Sequence, residues 1–304
     1  MMDRITGSML TGSTLNDINS ALAKMQQTSE EISSGRTILE PSDNPFGASQ
    51  AIDLQSQLDG LNSYTASVND GISWTQTASS AMSGIGEALQ RVRELLVSAG
   101  NGTKNQSDLS NIAHEVSELT ESIKQDANVQ YAGQYIFSGT LSTTPPYQQG
   151  ENDEYQGNSG TVSRATGPGA TVAVSTDLAS VLGNGAAAGD GKTLDVLRTI
   201  VKHLNEGTTE GREALTGSDL KELDNNIEGM LTLQATNGSA TDQLQSTAAR
   251  IESLHTSIAG ALSNTTSTDV AQATIAYSTE QAAFQAALRS ASTIVQESLL
   301  NFLK

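Results

Sequence analysis

Histidine, carboxylate and glycine patterns are where this chain could carry chemistry, and each also has a plain structural reading. Imidazole is the usual general base and metal ligand near neutral pH, but His114, His203 and His255 lie far apart on separate stretches. His255 also falls in phase with an apolar seam, which reads as a packed ring. Neighbouring carboxylates could share acid–base work. Glu118 with Glu121, and Glu222 with Asp224, sit on polar stretches, where a solvated helix face explains them. Asn152, Asp153 and Glu154 ahead of Gly157 and Gly160 offer oxygen ligands without the spacing of a calcium loop. The run from Gly183-Asn184-Gly185 to Gly189 lacks the strand-then-helix setting of a dinucleotide fold and reads as a loop. No nucleophile-elbow glycine pattern flanks a serine. The absence of cysteine removes disulfides and thiolate metal sites. Sequons such as those at Asn101, Asn237 and Asn264 are chance matches in an Asn/Thr-rich chain. No catalytic residue, metal or cofactor is therefore expected, and the chain is read as a non-enzyme.

The bulk composition bears on architecture and on the partners the chain can have. Of 304 residues, 36% are hydrophobic and only 4% aromatic, thin for one broad core but suited to long helices with narrow seams. The net charge of −18 disfavours nucleic acid and anionic membrane as partners. Residues 1–40 carry a net −2 and residues 265–304 a net −1, leaving −15 for the centre. Nearly neutral ends suit crowding of many copies, although solvation of an exposed centre would give the same pattern. The first thirty residues contain no long apolar run, so no cleaved secretory signal is expected. Taken alone this reads as a cytoplasmic chain, with export of the unfolded chain by a route that needs no cleaved signal as the alternative.

Apolar spacing supplies the elements. Prolines occur at 41, 45, 145, 146 and 168 only, which leaves 46–144 and 169–304 free of the strongest helix breaker. Leu15, Ile18, Leu22, Met25 and Ile32 follow steps of three and four with one gap at Ser29. A second seam runs from Ala51, Leu54 and Leu58 through Val68, Thr75, Ser79 and Met82 to Leu89, and a third from Leu109 to Ile123. A fourth runs from Leu220 through Met230, Gln234, Asn237 and Leu244 to Leu262. The last holds Tyr277, Gln281, Phe284, Leu288, Ala291, Val295, Ser298 and Phe302. Such repeats wind helices into left-handed coiled coils. Residues 139–191 hold ten of the 27 glycines and three of the five prolines, with alternating patches at 161–162 and 171–174. They read as a small β-rich insertion, followed by a short helix through Leu194, Leu197, Ile200 and Leu204.

Boundary signals fill in the ends. Asn44 before Pro45 reads as an N-cap with proline at the first helical position. Asn101-Gly102-Thr103 marks a helix end, with Ser107-Asp108, Ser218-Asp219 and Thr268-Asp269 as further starts. A single terminal seam cannot offset the conformational entropy of its own ordering, and a short isolated helix is marginal. Both ends are therefore expected to be largely disordered in the monomer and to fold on assembly, with an intramolecular pair of terminal helices as the alternative.

Certain stretches are similar to a known family. Ser33-Ser34-Gly35-Arg36 followed by Pro41-Ser42-Asp43-Asn44-Pro45-Phe46-Gly47-Ala48 resembles the segment after the first helix of flagellin-type proteins. Its Pro-Ser-Asp-x-Pro form is closer to the hook-associated protein 3 family than to flagellins, which usually have Lys-Asp-Asp-Ala-Ala-Gly there. Arg91-Val92-Arg93-Glu94-Leu95, Ile112-Ala113-His114-Glu115-Val116 and Tyr135-Ile136-Phe137-Ser138-Gly139-Thr140 fit the same family, as does the ending 298–303. Asn44 stands where an aspartate is common, which keeps the capping chemistry.

The resemblance implies a mainly α fold: a long antiparallel helical bundle or coiled coil of N- and C-terminal segments with a small β-rich insertion domain. Residues 1–40 plus 265–304 would be the assembly domain, 41–138 plus 192–264 the bundle, and 139–191 the outer insertion. It implies an adaptor in the bacterial flagellum, extracellular after unfolded export through the flagellar type III channel. Its partners would be hook-associated protein 1, flagellin, an export chaperone and further copies of itself. Inter-subunit packing falls on Leu15, Ile18, Leu22, Met25 and Ile32 against Phe284, Leu288, Val295, Leu299 and Phe302, with the chaperone on Phe284, Leu288 and Val295. Pro41, Ser42, Asp43, Asn44, Pro45 and Gly47 would form a rigid interdomain turn. The rival readings are a filament-forming flagellin, a helical signalling module, and, most remotely, a hydrolase.

Overall fold

A computed structural model describes residues 2–100, 104–150, 153–186 and 188–302, with side chains described in these ranges except at 2–8, 10–11 and 294–302. The fold is mainly α. Its helices are α1 (Met2–Ser34), α2 (Pro45–Ala99), α3 (Gln106–Ala127), α4 (Ala179–Leu182), α5 (Thr193–Glu206), α6 (Thr209–Thr216), α7 (Ser218–Thr266) and α8 (Val270–Phe302). Two small antiparallel hairpins complete it: β1 (Gln130–Tyr131) with β2 (Gln134–Tyr135), and β3 (Ser163–Gly167) with β4 (Ala170–Ala173). No described helix is long and apolar enough to cross a membrane.

The chain divides into two compact units, residues 1–60 with 254–304, and residues 61–253. Segment 139–191 lies within the second. In the first unit α1 and α8 are both formed and pack on each other. This intramolecular pairing takes the place of the disordered ends expected from each seam alone, because each helix offers the other the apolar stripe it lacked.

The second unit holds a continuous core. Val68, Met82, Ile85 and Leu89 of α2 are buried with Leu109, Val116 and Ile123 of α3, Leu197 and Ile200 of α5, and Leu223 and Met230 of α7. Every member of the α7 seam from Leu220 to Leu262 is buried or half-buried, so its period was correctly read. Its polar members bond to helix α2. Gln234 Nε2 donates to Met82 O at 2.9 Å and Asn237 Nδ2 to Thr75 O at 2.9 Å. Bonds of this kind set register, since a slip would strand a buried amide. On α2 the expected seam drifts. Ser79 is exposed, while Trp74, Ala78, Ala81 and Ile85 are buried. The stripe here is wide enough to admit two rows because several elements cover it.

Local starts also differ in one place. The N-cap of α3 is Asn105, whose side chain accepts from Asp108 N while Asp108 Oδ2 accepts from Asn105 N. This reciprocal box displaces the expected start at Ser107-Asp108. Asn101, Gly102 and Thr103 lie outside the described residues. α7 begins at Ser218 as expected, and Asp219 accepts a 2.6 Å bond from His203 Nδ1, which places that histidine in a structural pair. The helix α6 was not anticipated.

The insertion contributes Tyr147, Val174, Leu178 and Leu182 to the core, and polar contacts pin it further. Lys124 of α3 is only 2% exposed. Its ammonium meets Glu121 Oε1 at 2.5 Å, Gly150 O at 2.8 Å and Asp153 Oδ2 at 3.5 Å. Asp153 Oδ1 in turn accepts from Ala186 N at 2.9 Å. Asp153 is thus an ion-pair partner, not a member of a calcium loop. Arg164 of β3 binds Asp70 and lies 5.2 Å above the ring of Trp74. Gly139, the glycine of the Tyr135–Thr140 stretch, has φ +64° with Asn158 O where a Cβ would sit. Only glycine fits there.

Two tyrosines close the insertion. Tyr147 Oη donates to Gly183 O at 2.7 Å and Tyr155 Oη to Phe137 O at 2.9 Å. Burial, with Asp177 nearby, pushes the Tyr155 phenol up to about 12, and burial pushes Tyr147 higher still. A folded pKa above the unfolded value favours the neutral ring in the native state. That stability is complete below pH about 10 and is lost as pH rises from there through about 12. In an alkaline titration followed by tyrosinate absorbance, these two rings should ionise last and together with unfolding of the insertion. Tyrosinate signals from both rings in the still-folded chain would contradict this.

Candidate assembly interface

The helices that could serve as an interface are those of the first unit, and their junctions are rigidly built. α1 ends on Gly35, at φ +69°, whose N–H donates to Glu31 O at 2.9 Å. The left-handed residue is the usual helix stop. The chain then makes a short antiparallel bridge between Arg36 and Ser267. Thr37 N donates to Thr266 O at 2.8 Å, and Thr268 N to Gly35 O at 3.0 Å. Beyond it, Asp43 Oδ2 accepts from Leu39 N and Glu40 N, and Asn44 Oδ1 from Gly47 N at 3.0 Å. Asn44 is therefore the N-cap of α2, with Pro45 first in the helix, as the sequence suggested. Asp269 Oδ1 caps α8 in the same way, accepting from Ala271 N and Gln272 N.

Gly47 is buried in this turn, and a Cβ on it would lie 2.7 Å from both Asn44 Nδ2 and Ile38 Cδ1. Gly47→Ala should push the Asn44 amide off its cap, at a cost of about 1–2 kcal/mol. Faster amide exchange over residues 45–48 would register the loss. Unchanged exchange would show that the turn absorbs the methyl.

Between α1 and α8 the seam is partly polar. Thr28 is buried, and its hydroxyl donates to Glu280 Oε2 at 2.8 Å. The antiparallel register set by this bond brings Phe284 to within about one helical turn of Leu22 in level. Ile18, Leu22, Met25 and Ile32 are half-buried, as are Tyr277, Phe284 and Ala291. Leu15 and Leu288 point outward and are exposed, as is Gln281. The side chains of Val295, Leu299 and Phe302 lie outside the described residues. Of the turn residues, Pro41, Ser42, Asp43, Asn44 and Pro45 are exposed and only Gly47 is buried.

The exposed apolar residues concentrate on this unit. Among the described residues, Met9 and Leu15 on α1, Phe46 and Ile52 on α2, Leu254 on α7, and Val270, Ile275 and Leu288 on α8 are all large, apolar and exposed. The other unit has Val97, Leu141 and Leu231 alone. Phe46 is 80% exposed and Ile275 68%. Large apolar side chains exposed in this number on one unit suit contact with another protein surface. The heptad reading missed Phe46, Ile52, Val270 and Ile275 because they fall off the seam, although their apolar character out of phase was a usable signal. Among the described residues no group of three or more histidines, cysteines or carboxylates is placed to hold a metal.

Comparison with known proteins agrees with this geometry. The bacterial flagellin N-terminal helical region matches residues 5–142. Flagellin 1 of Proteus mirabilis is 35% identical over 141 residues, 46% of this chain and 38% of that protein. Phase 1 flagellin of Salmonella naestved is 36% identical over 126 residues, 41% and 25% of the two chains. The chain is thus similar to flagellins over part of its length. Its matches span well under half the length of those flagellins. In fold it is similar to hook-associated protein 3 of Legionella pneumophila, with TM-score 0.60 and 15% identity over 69% of this chain and 97% of that one. It is similar also to a Vibrio parahaemolyticus chain provisionally described as a flagellar hook-associated protein. There the TM-score is 0.66, with 17% identity over 74% of this chain and all of the other. These likenesses, at 15–17% identity, show a shared fold.

Proposed function

We propose that the chain is a structural adaptor of the bacterial flagellum, joining the hook to the flagellin filament and catalysing nothing. The observation that carries the reading is the gathering of exposed large apolar side chains on the terminal unit. The nearly neutral ends favour other copies as the occupants of those faces, since an end with little net charge can be crowded while a centre at −15 cannot. In this reading residues 1–40 and 265–304 form the assembly segment, with Leu15, Ile18, Leu22, Met25 and Ile32 packing against Phe284, Leu288, Val295, Leu299 and Phe302 of the same or adjacent subunits. Hook-associated protein 1 lies on one side and flagellin on the other. The chain leaves the cell unfolded through the flagellar type III system, escorted by a chaperone on Phe284, Leu288 and Val295. The turn from Pro41 to Gly47 is the rigid turn that joins the assembly segment to the bundle segment along the chain.

A filament-forming flagellin is the second reading, favoured by the 35% and 36% identities to flagellins over 141 and 126 residues. Deletion of the gene separates the two. Loss of an adaptor leaves hooks intact and sends flagellin into the medium. Loss of a filament subunit leaves hooks with nothing released, and that outcome would retire the adaptor.

A further inference from the structure

Asparagine followed by glycine can modify itself. The glycine backbone nitrogen attacks the asparagine side-chain carbonyl carbon, forming a C–N bond, and the amide nitrogen leaves as ammonia. Water then opens the resulting succinimide at either carbonyl, giving aspartate or isoaspartate, so one water is the only reagent consumed and base acts as a catalyst. The reaction needs a free side-chain amide, a free N–H on the next residue and a backbone not locked in a helix. The sequence holds this pair at 101–102, 184–185 and 237–238; the first lies outside the described residues.

The fold separates the other two. Asn237 is 4% exposed inside α7. Its Nδ2 donates to Thr75 O at 2.9 Å and its Oδ1 accepts from Thr176 Oγ1 at 3.3 Å. The N–H of Gly238 belongs to the helix ladder, so both reacting groups are occupied. Asn184 is exposed in the loop after α4. Among the described residues neither its side-chain amide nor the N–H of Gly185 has a hydrogen-bond partner. Gly185 sits at φ +115° and Gly183 at φ +88°, conformations that glycine enters freely.

We propose that Asn184–Gly185 is a spontaneous modification site, at which the folded chain converts Asn184 to aspartate and isoaspartate through a succinimide. The flanking backbone is tightly anchored, which gives the change a structural consequence. Asn184 N donates to Asp190 Oδ2 at 2.9 Å, Tyr155 N donates to Asn184 O at 3.3 Å, and Ala186 N donates to Asp153 Oδ1 at 2.9 Å. Isoaspartate lengthens the main chain between these anchors, so the bonds to Tyr155 and Asp153 cannot both survive. Either product also adds a carboxylate beside Asp190.

The test is to age the purified full chain at mildly alkaline pH below its unfolding temperature, then map peptides by mass spectrometry with isoaspartyl methyltransferase labelling. Modification should accumulate at Asn184 about tenfold or more faster than at Asn237, equivalent to about 1.4 kcal/mol or more in barrier. In denaturant the two rates should converge, and Asn184→Gln should remove the fast signal. Equal rates in the folded chain would overturn the proposal. So would a ratio that denaturant leaves unchanged, because the fold would then not be what selects the site.

Discussion

Leu22→Asp and Phe284→Asp are each expected to abolish assembly while leaving the second unit folded. Both side chains are half-buried on α1 and α8, and neither belongs to the core of residues 61–253. Each change removes up to about 1.5–3 kcal/mol of apolar burial and places a carboxylate against an apolar seam, where desolvation penalises it further. The α1–α8 pair has little reserve, because part of its seam is the polar Thr28–Glu280 bond and several flanking apolar residues face outward. In an assembly the loss recurs in every copy. The measurements are motility, electron microscopy of hooks, and thermal melting by circular dichroism. Retained motility would contradict the reading of the terminal unit. A collapse of the main melting transition would show instead that the two units do not fold independently.

The second large effect is expected at Lys124. Lys124→Ala removes the ammonium from between Glu121, Gly150 O and Asp153, and Asp153 is itself only 3% exposed. Glu121, about a third exposed, can turn to water. Asp153 cannot, because its other oxygen holds the Ala186 N–H. Stranding a buried carboxylate costs about 3–5 kcal/mol, enough to release the contacts of Gly150 and Asp153 and the 184–186 segment before the helical core melts. Lys124→Met combined with Asp153→Asn should recover most of that loss, since the asparagine carbonyl still accepts from Ala186 N and no charge remains unpaired. Thermal unfolding and amide exchange at Ala186 would follow both variants. If the single variant melts like the wild type, the clasp is not what holds the insertion. If the double variant is no better than the single, the cost lies in lost packing and not in charge.

The sequence by itself determined the long helices, the starts at Asn44 and at Thr268-Asp269, and the loop-rich character of 139–191, while the stop at Gly35 obeys the same local rules. Each of these depends on local physics. A left-handed glycine stops a helix, a short polar side chain caps the next, and a 3.5-residue repeat must face a partner. The α7 seam illustrates how far this reaches, since even its polar positions Gln234 and Asn237 are buried or half-buried where the repeat puts them.

Tertiary structure decided what no periodicity encodes. It paired α1 with α8 inside one chain, where each seam considered alone seemed too costly to order. On α2 it turned Ser79 outward and Trp74 inward, because a helix covered by several elements buries more than one row. It also brought Lys124 to Asp153 and Arg164 to Asp70, pairs separated in sequence and invisible until the insertion folds back. Finally, it left Phe46, Ile52, Val270 and Ile275 exposed. Apolar residues off a seam have no destination that local spacing can name, and only the arrangement of neighbours shows that this chain does not cover them itself.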